Sequence, residues 1–179
     1  MNNSRAHAPP GGPAWLTALE RAMSALNRWL MVPCMLAVLG AALILTYSVV
    51  ARYLFKSPTE WQDETAVFLL IGATFFSGAY VQSYRGHVGV EAVGGLLSAR
   101  ANGWRLMFVE AAGAAFCVFF AWKSWSLFRE AWHEGYTSNS TWGPALWIPY
   151  LLMAGGMTLL AAQLALELTG RLVRQGPQP

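Results

Sequence analysis

Residues Trp29 to Ala51 read WLMVPCMLAVLGAALILTYSVVA, 23 positions without a charged side chain. A helix rises 1.5 Å per residue, so about 20 residues cross a hydrocarbon core of about 30 Å. A core helix of a soluble domain does not need a run of that length. Three more stretches repeat the signal. Thr65 to Tyr84 adds 20 uncharged residues. Leu106 to Phe128 adds 23, interrupted by Glu110 near one end and Lys123 near the other. Gly135 to Leu166 carries no charge, and its dense apolar part starts near Pro144. The alternating pattern of a membrane barrel is absent. The expected fold is an all-α integral membrane protein with four transmembrane helices, at about 30–54, 62–84, 106–128 and 144–168.

The rest of the composition agrees. Of 179 residues, 55% are hydrophobic and 12% charged, against about 45–50% and about 25% in soluble domains. That is too little charge to coat a soluble surface and too much apolar surface for a disordered chain. The net charge is +3. No basic cluster accompanies it, Arg171 and Arg174 being the closest grouping, so nucleic acid is not an expected partner. Cys34 and Cys117 each sit inside an apolar run. They read as small buried hydrophobes rather than a disulfide or a metal pair.

The flanks set the limits. Ser57-Pro58-Thr59-Glu60 reads as an N-cap, a proline at the first helical position and a glutamate at the third. Gly143-Pro144 similarly opens the fourth helix. Trp29, Trp61, Trp104, Trp122, Trp125, Trp142 and Trp147 stand near segment ends, where indoles favour the headgroup layer. Two stretches read as interfacial amphipathic helices. In 15–29, Trp15, Leu19, Ala22, Met23, Leu26 and Trp29 form one face and Glu20, Arg21, Ser24, Asn27 and Arg28 the other. Between spans two and three, Val88, Ala92, Val93, Leu96 and Leu97 form the second, with Gly94-Gly95 working against it. Residues 1–14 and 169–179 are tails. The first apolar run is too long and starts too late for a cleaved signal peptide. Seven basic residues (Arg21, Arg28, Arg85, Arg100, Arg105, Arg171, Arg174) fall on one side of the membrane. Four (Arg52, Lys56, Lys123, Arg129) fall on the other. The bias predicts both termini in the cytoplasm.

The chain lacks the residues that most membrane chemistry needs. Haem inside a bundle needs axial ligands, and the histidines, His7, His87 and His133, lie outside the spans. No His/Cys/carboxylate cluster has metal spacing, and no phosphate loop or nucleophile motif is present. No cofactor and no enzyme activity are expected. Mid-span positions are apolar, and Gly155-Gly156 is the nearest approach to a broken helix. Small residues recur at four-residue spacing: Ala73 and Ser77; Thr74 and Gly78; Gly113, Cys117 and Ala121; Ala154, Thr158 and Ala162. Such stripes let helices approach closely in lipid, within the chain or against another membrane protein.

Arg52-Tyr53-Leu54-Phe55, then Pro58, Trp61, Glu64 and Gly78, then Gly86-His87-Val88-x-Val90, resemble the small membrane subunit of tripartite ATP-independent periplasmic (TRAP) transporters, the DctQ-like family. Gly135, Ser138, Pro144, Trp147 and Tyr150 resemble that family's entry into its last helix. The resemblance covers roughly residues 30–168. Glu91 stands where the family commonly has aspartate, and the charge is kept. The resemblance implies a multi-pass subunit of the bacterial inner membrane. Its partners would be a large membrane subunit that moves an organic acid by sodium-driven elevator motion, a periplasmic substrate-binding protein, and membrane lipid. This chain would stabilise and orient the large subunit without binding substrate. Two other readings stay open: a small four-span subunit of another tripartite carboxylate carrier, and the membrane anchor of a redox complex.

Candidate structural or partner-contacting residues are Arg52, Asp63, Glu64, Gly78, His87 and Glu91. Arg52, Asp63 and Glu64 flank one short loop, as a charge link or as separately solvated charges. His87 reads as a cap at the end of the second helix. Glu110, one turn inside the third span, would meet a basic group on a partner or snorkel to the interface.

Overall fold

The computed structural model describes residues 13–56, 60–85 and 99–175. Four α-helices carry them: α1 (Ala14–Phe55), α2 (Glu60–Arg85), α3 (Ala99–Glu134) and α4 (Trp147–Gln175). Each is long and apolar enough to cross a membrane. The interfacial stretch 88–97 and the tails lie wholly or partly outside the described residues.

Several helix limits differ from the pattern of the sequence. The amphipathic stretch 15–29 is not a separate element but runs straight into the first span, giving one helix of 42 residues, about 63 Å long. Pro33 lies inside it. A proline costs one backbone hydrogen bond, which transmembrane helices tolerate, and nothing between 14 and 32 breaks the helix. At its end Lys56 turns into the left-handed region (φ 50°). α4 starts at Trp147, later than Pro144, because the residues before it are used otherwise. The Ser138 amide donates to the Pro144 carbonyl (2.9 Å) and the Leu146 amide to the Tyr136 carbonyl (2.9 Å). α3 runs past Phe128 to Glu134. The described part of α2 begins at Glu60, and positions 57–59 of the expected cap lie outside it.

The helices stand in a single row, α1–α2–α4–α3. α1 packs antiparallel on α2, α2 parallel on α4, and α4 antiparallel on α3. α1 also touches α4 at one end, and α3 meets α2 at the Phe75–Phe120 ring pair (centroids 6.4 Å). A row leaves two broad faces open. Only 39% of the most apolar stretch of α4 is buried and 17% of that of α2. The tightest point is the α2–α4 crossing. A Cβ on Gly156 would lie 2.5 Å from the Phe75 carbonyl carbon, so only glycine fits there. Gly155-Gly156 therefore does not break α4, which runs through it; Gly156 is where two backbones meet. A small cluster of Ala114, Cys117, Ala121, Met157, Ala161 and Leu164 joins α3 to α4. Both cysteines are free and buried.

The apolar runs are staggered along the row. On α1 the charge-free run starts at Trp29, two residues after Asn27, which bonds Gln163 of α4. On α3 the run starts at Leu106, and Glu110, four residues inside it, pairs with Arg171 of α4.

Candidate functional site

One end of the row carries three of the charged residues singled out in the sequence, Arg52, Asp63 and Glu64. The α1–α2 hairpin brings Arg52 and Asp63 together: the guanidinium meets the carboxylate at 2.8 Å. The buried Ser48 hydroxyl donates to the other Asp63 oxygen at 3.1 Å and accepts from Arg52 at 3.4 Å. Arg52 and Asp63 side chains are 60% and 48% exposed. At that exposure an ion pair contributes about 0–1 kcal/mol, so the pair fixes geometry more than stability.

Glu64 does not join Arg52. One helical position further round α2, it faces the segment between α3 and α4 and accepts from the Ser138 hydroxyl. Glu60, one turn earlier on the same face, accepts from the Thr141 amide at 2.8 Å. The segment they hold is folded on itself. Thr137 and Ala145 form an antiparallel bridge, and the Ser140 hydroxyl accepts from the Gly143 amide at 3.1 Å. Gly135 and Gly143 take positive φ (66° and 59°), which their lack of a Cβ permits. Tyr136 donates to Glu130 at 3.3 Å, and the Glu130 charge pushes its phenol above the ordinary range. First-turn carboxylates also suit the positive end of the α2 dipole.

The opposite end is held by a polar chain that no sequence motif announced. Asn27 of α1 donates to Gln163 of α4 at 3.2 Å. Gln163 donates to Glu167 at 2.7 Å, and Gln82 of α2 donates to the second Glu167 oxygen at 3.1 Å. Asn27 is 1% and Gln163 8% exposed. Glu110 pairs with Arg171 of its own chain at 2.6 Å. One signal for the chain was visible, since uncharged polar side chains inside apolar runs pair across helices. Which would pair was not.

The other expected site residues divide. Gly78 faces α4, with room for a Cβ 3.8 Å from Leu160. His87 and Glu91 lie outside the described residues. Of the small-residue stripes, Ala73, Cys117, Ala121 and Ala154 are buried within the chain, whereas Thr74, Thr158 and Ala162 are exposed.

Compared with known families, residues 41–174 match the one described as tripartite ATP-independent periplasmic transporters, DctQ component. No curated protein and no solved structure matches the chain.

Proposed function

The chain belongs to the DctQ family, the small membrane component of TRAP transporters, and from that premise we propose that it stabilises and orients the large subunit of a sodium-coupled organic-acid carrier. It binds no substrate and catalyses no reaction. It sits in the bacterial inner membrane with both termini in the cytoplasm. The large subunit covers a broad face of the helical row, and the substrate-binding protein joins the assembly from the periplasm.

The observation that supports this reading is the shape of the row. Four long helices are pinned at both ends by side-chain bonds, while their broad faces keep large apolar side chains exposed: Phe108 74%, Val49 66%, Phe116 63%. Lipid or another membrane protein must cover such faces. Charges gather toward the ends of the row, which leaves the middle to packing rather than to solute chemistry. The seven-to-four basic bias supports the orientation. The ends of α1 and α4 lie together, Gly170 beside Leu16 and Glu20, so one side of the membrane holds both.

The test is reconstitution in liposomes with a sodium gradient. The chain alone gives no organic-acid uptake. The large subunit and the binding protein give uptake only when this chain is present. Uptake by the chain alone, or full uptake without it, refutes the scaffold role. Orientation is read separately. Cysteines placed at Gly12 and Gln178, after replacement of Cys34 and Cys117, should resist an impermeant thiol reagent on intact cells.

A further inference from the structure

Charges gather toward the ends of the row, and Lys123 is the exception. α3 and α4 run antiparallel and meet at two levels. At one, the rings of Trp132 and Trp147 lie 4.9 Å apart. At the other, Glu110 pairs with Arg171. Between these levels α4 carries no charge from Trp147 to Leu166, a length of about 30 Å, which is one hydrocarbon thickness. On α3, Lys123 lies about 14 Å inside the level of Trp132 and about 20 Å from that of Glu110. It stands within the apolar layer.

Nothing in the described chain neutralises it there. Lys123 is exposed and makes no ion pair among the described residues. Its ammonium lies over the ring of Trp122, the preceding residue, 5.2 Å from the ring centre. That position does not reach for the headgroups. Long helical side chains lean toward the N-terminus of their helix, which on α3 is away from the Trp132 end. Lys123 also completes a seam. Ala112, Phe116, Phe119 and Lys123 recur at spacings of four, three and four residues, and all are exposed. Cys117 and Ala121 turn the other way, into α4. Phe116 is 63% and Phe119 54% exposed. Such spacing suits a helix that packs along another helix. Phe116 also meets Phe120 (centroids 6.0 Å), so the seam continues onto the broad face where Phe120 meets Phe75 of α2.

We propose that this seam receives a membrane-spanning helix of the large subunit, and that Lys123 pairs there with an acidic side chain of that helix. The proposal rests on the reading of the chain as a transporter's small subunit and names the part of the row that is covered. The charge selects the occupant. Lipid tails would cover Phe116 and Phe119 but leave the ammonium in a medium that cannot solvate it. A lipid phosphate lies near the level of Trp132, about 14 Å away, beyond the reach of a snorkelling lysine. A second copy of this chain, parallel in the same membrane, would set Lys123 against Lys123. A helix with a carboxylate at the matching depth covers the rings and neutralises the charge.

The experiment is co-purification of the full chain with the tagged large subunit in mild detergent. Lys123→Leu should lower the amount recovered several-fold, and Lys123→Glu about tenfold or more, since it sets like charges together. Lys123→Arg should be recovered as the unmodified chain is. Each variant alone should elute in size-exclusion chromatography as the unmodified chain does. One Asp or Glu in the membrane-spanning helices of the large subunit, changed to Lys, should restore recovery of Lys123→Glu. Undiminished recovery of Lys123→Leu and Lys123→Glu overturns the proposal, and is the result expected if the ammonium meets lipid instead. Equal losses with Lys123→Arg and Lys123→Glu also overturn it, as does the failure of every such charge reversal to restore recovery. Aggregation of Lys123→Leu by itself would assign the lysine to the fold of this chain and overturn it too. Failure of the unmodified chain to co-purify is a different result: it refutes the small-subunit reading, and the proposal with it.

Discussion

The two ends of the row are fastened with similar atoms in opposite environments. At the hairpin end, Arg52 and Asp63 carry full charges and stay about half exposed. At the other, Asn27 and Gln163 carry none and are almost wholly buried. Formal charge would rank the first contact as the stronger. Desolvation reverses the order. An exposed ion pair trades one solvated state for another, while a buried amide that loses its partner keeps the whole cost of leaving water. Between the ends, α2 and α4 approach closely where Gly156 meets the Phe75 backbone.

That crossing gives the largest expected effect. Gly156→Val forces the Phe75 backbone away and should cost about 3 kcal/mol or more. It would be read as loss of monodisperse protein in size-exclusion chromatography, whereas Gly78→Ala, with ordinary room for a Cβ, should elute as the unmodified chain does. If both elute alike, the ends and not the crossing align these helices. Next comes the buried chain. Asn27→Leu and Gln163→Leu should each lower stability by about 1–2 kcal/mol, measured by reversible unfolding in mixed micelles. The double variant should cost less than the sum, because no partner is then stranded. Additive losses would mean that the two amides do not share a bond. Glu110→Gln, in the less buried pair with Arg171, should cost about 1 kcal/mol by the same assay, as should Arg171→Gln.

The smallest effect belongs to the exposed pair and is the most discriminating. Arg52→Gln should change stability by less than about 1 kcal/mol, and the change should shrink in high salt. Arg52→Glu lowers the yield of folded protein, and adding Asp63→Arg restores part of it. Adding Glu64→Arg does not, since the Glu64 carboxylate is turned toward Ser138. Rescue by both would return Glu64 to the Arg52 site and release the segment before α4.

Helix type and number were legible because transmembrane length is a one-dimensional property. Twenty uncharged residues spell a span whatever surrounds them, as Trp29–Ala51 does. Partners close in the chain are legible and distant ones are not. Arg52 with Asp63 follows from a short hairpin. Glu64 with Ser138 joins positions 74 apart in the chain, and nothing local to either specifies the other. Gly156 shows the same limit. A Gly-Gly pair in an apolar run reads equally as a hinge or as a close crossing, and only Phe75 behind it decides. Glu110 reads in the sequence as a charge that meets a partner or snorkels to the interface, and only the fold brings Arg171 of α4 to it.

The sequence by itself determined that this chain has four helices long and apolar enough to cross a membrane, and which family it joins. Its apolar runs are long enough to leave no other solvent for them. Only the tertiary structure decided that the helices form a row rather than a closed bundle, and that α1 continues unbroken from the amphipathic stretch into the first span. The reason is physical. Hydrophobic length acts through the bilayer, which every residue meets in the same way. Helix adjacency is set by close contacts such as Gly156 on Phe75 and Asn27 on Gln163, whose partners lie far apart in the chain.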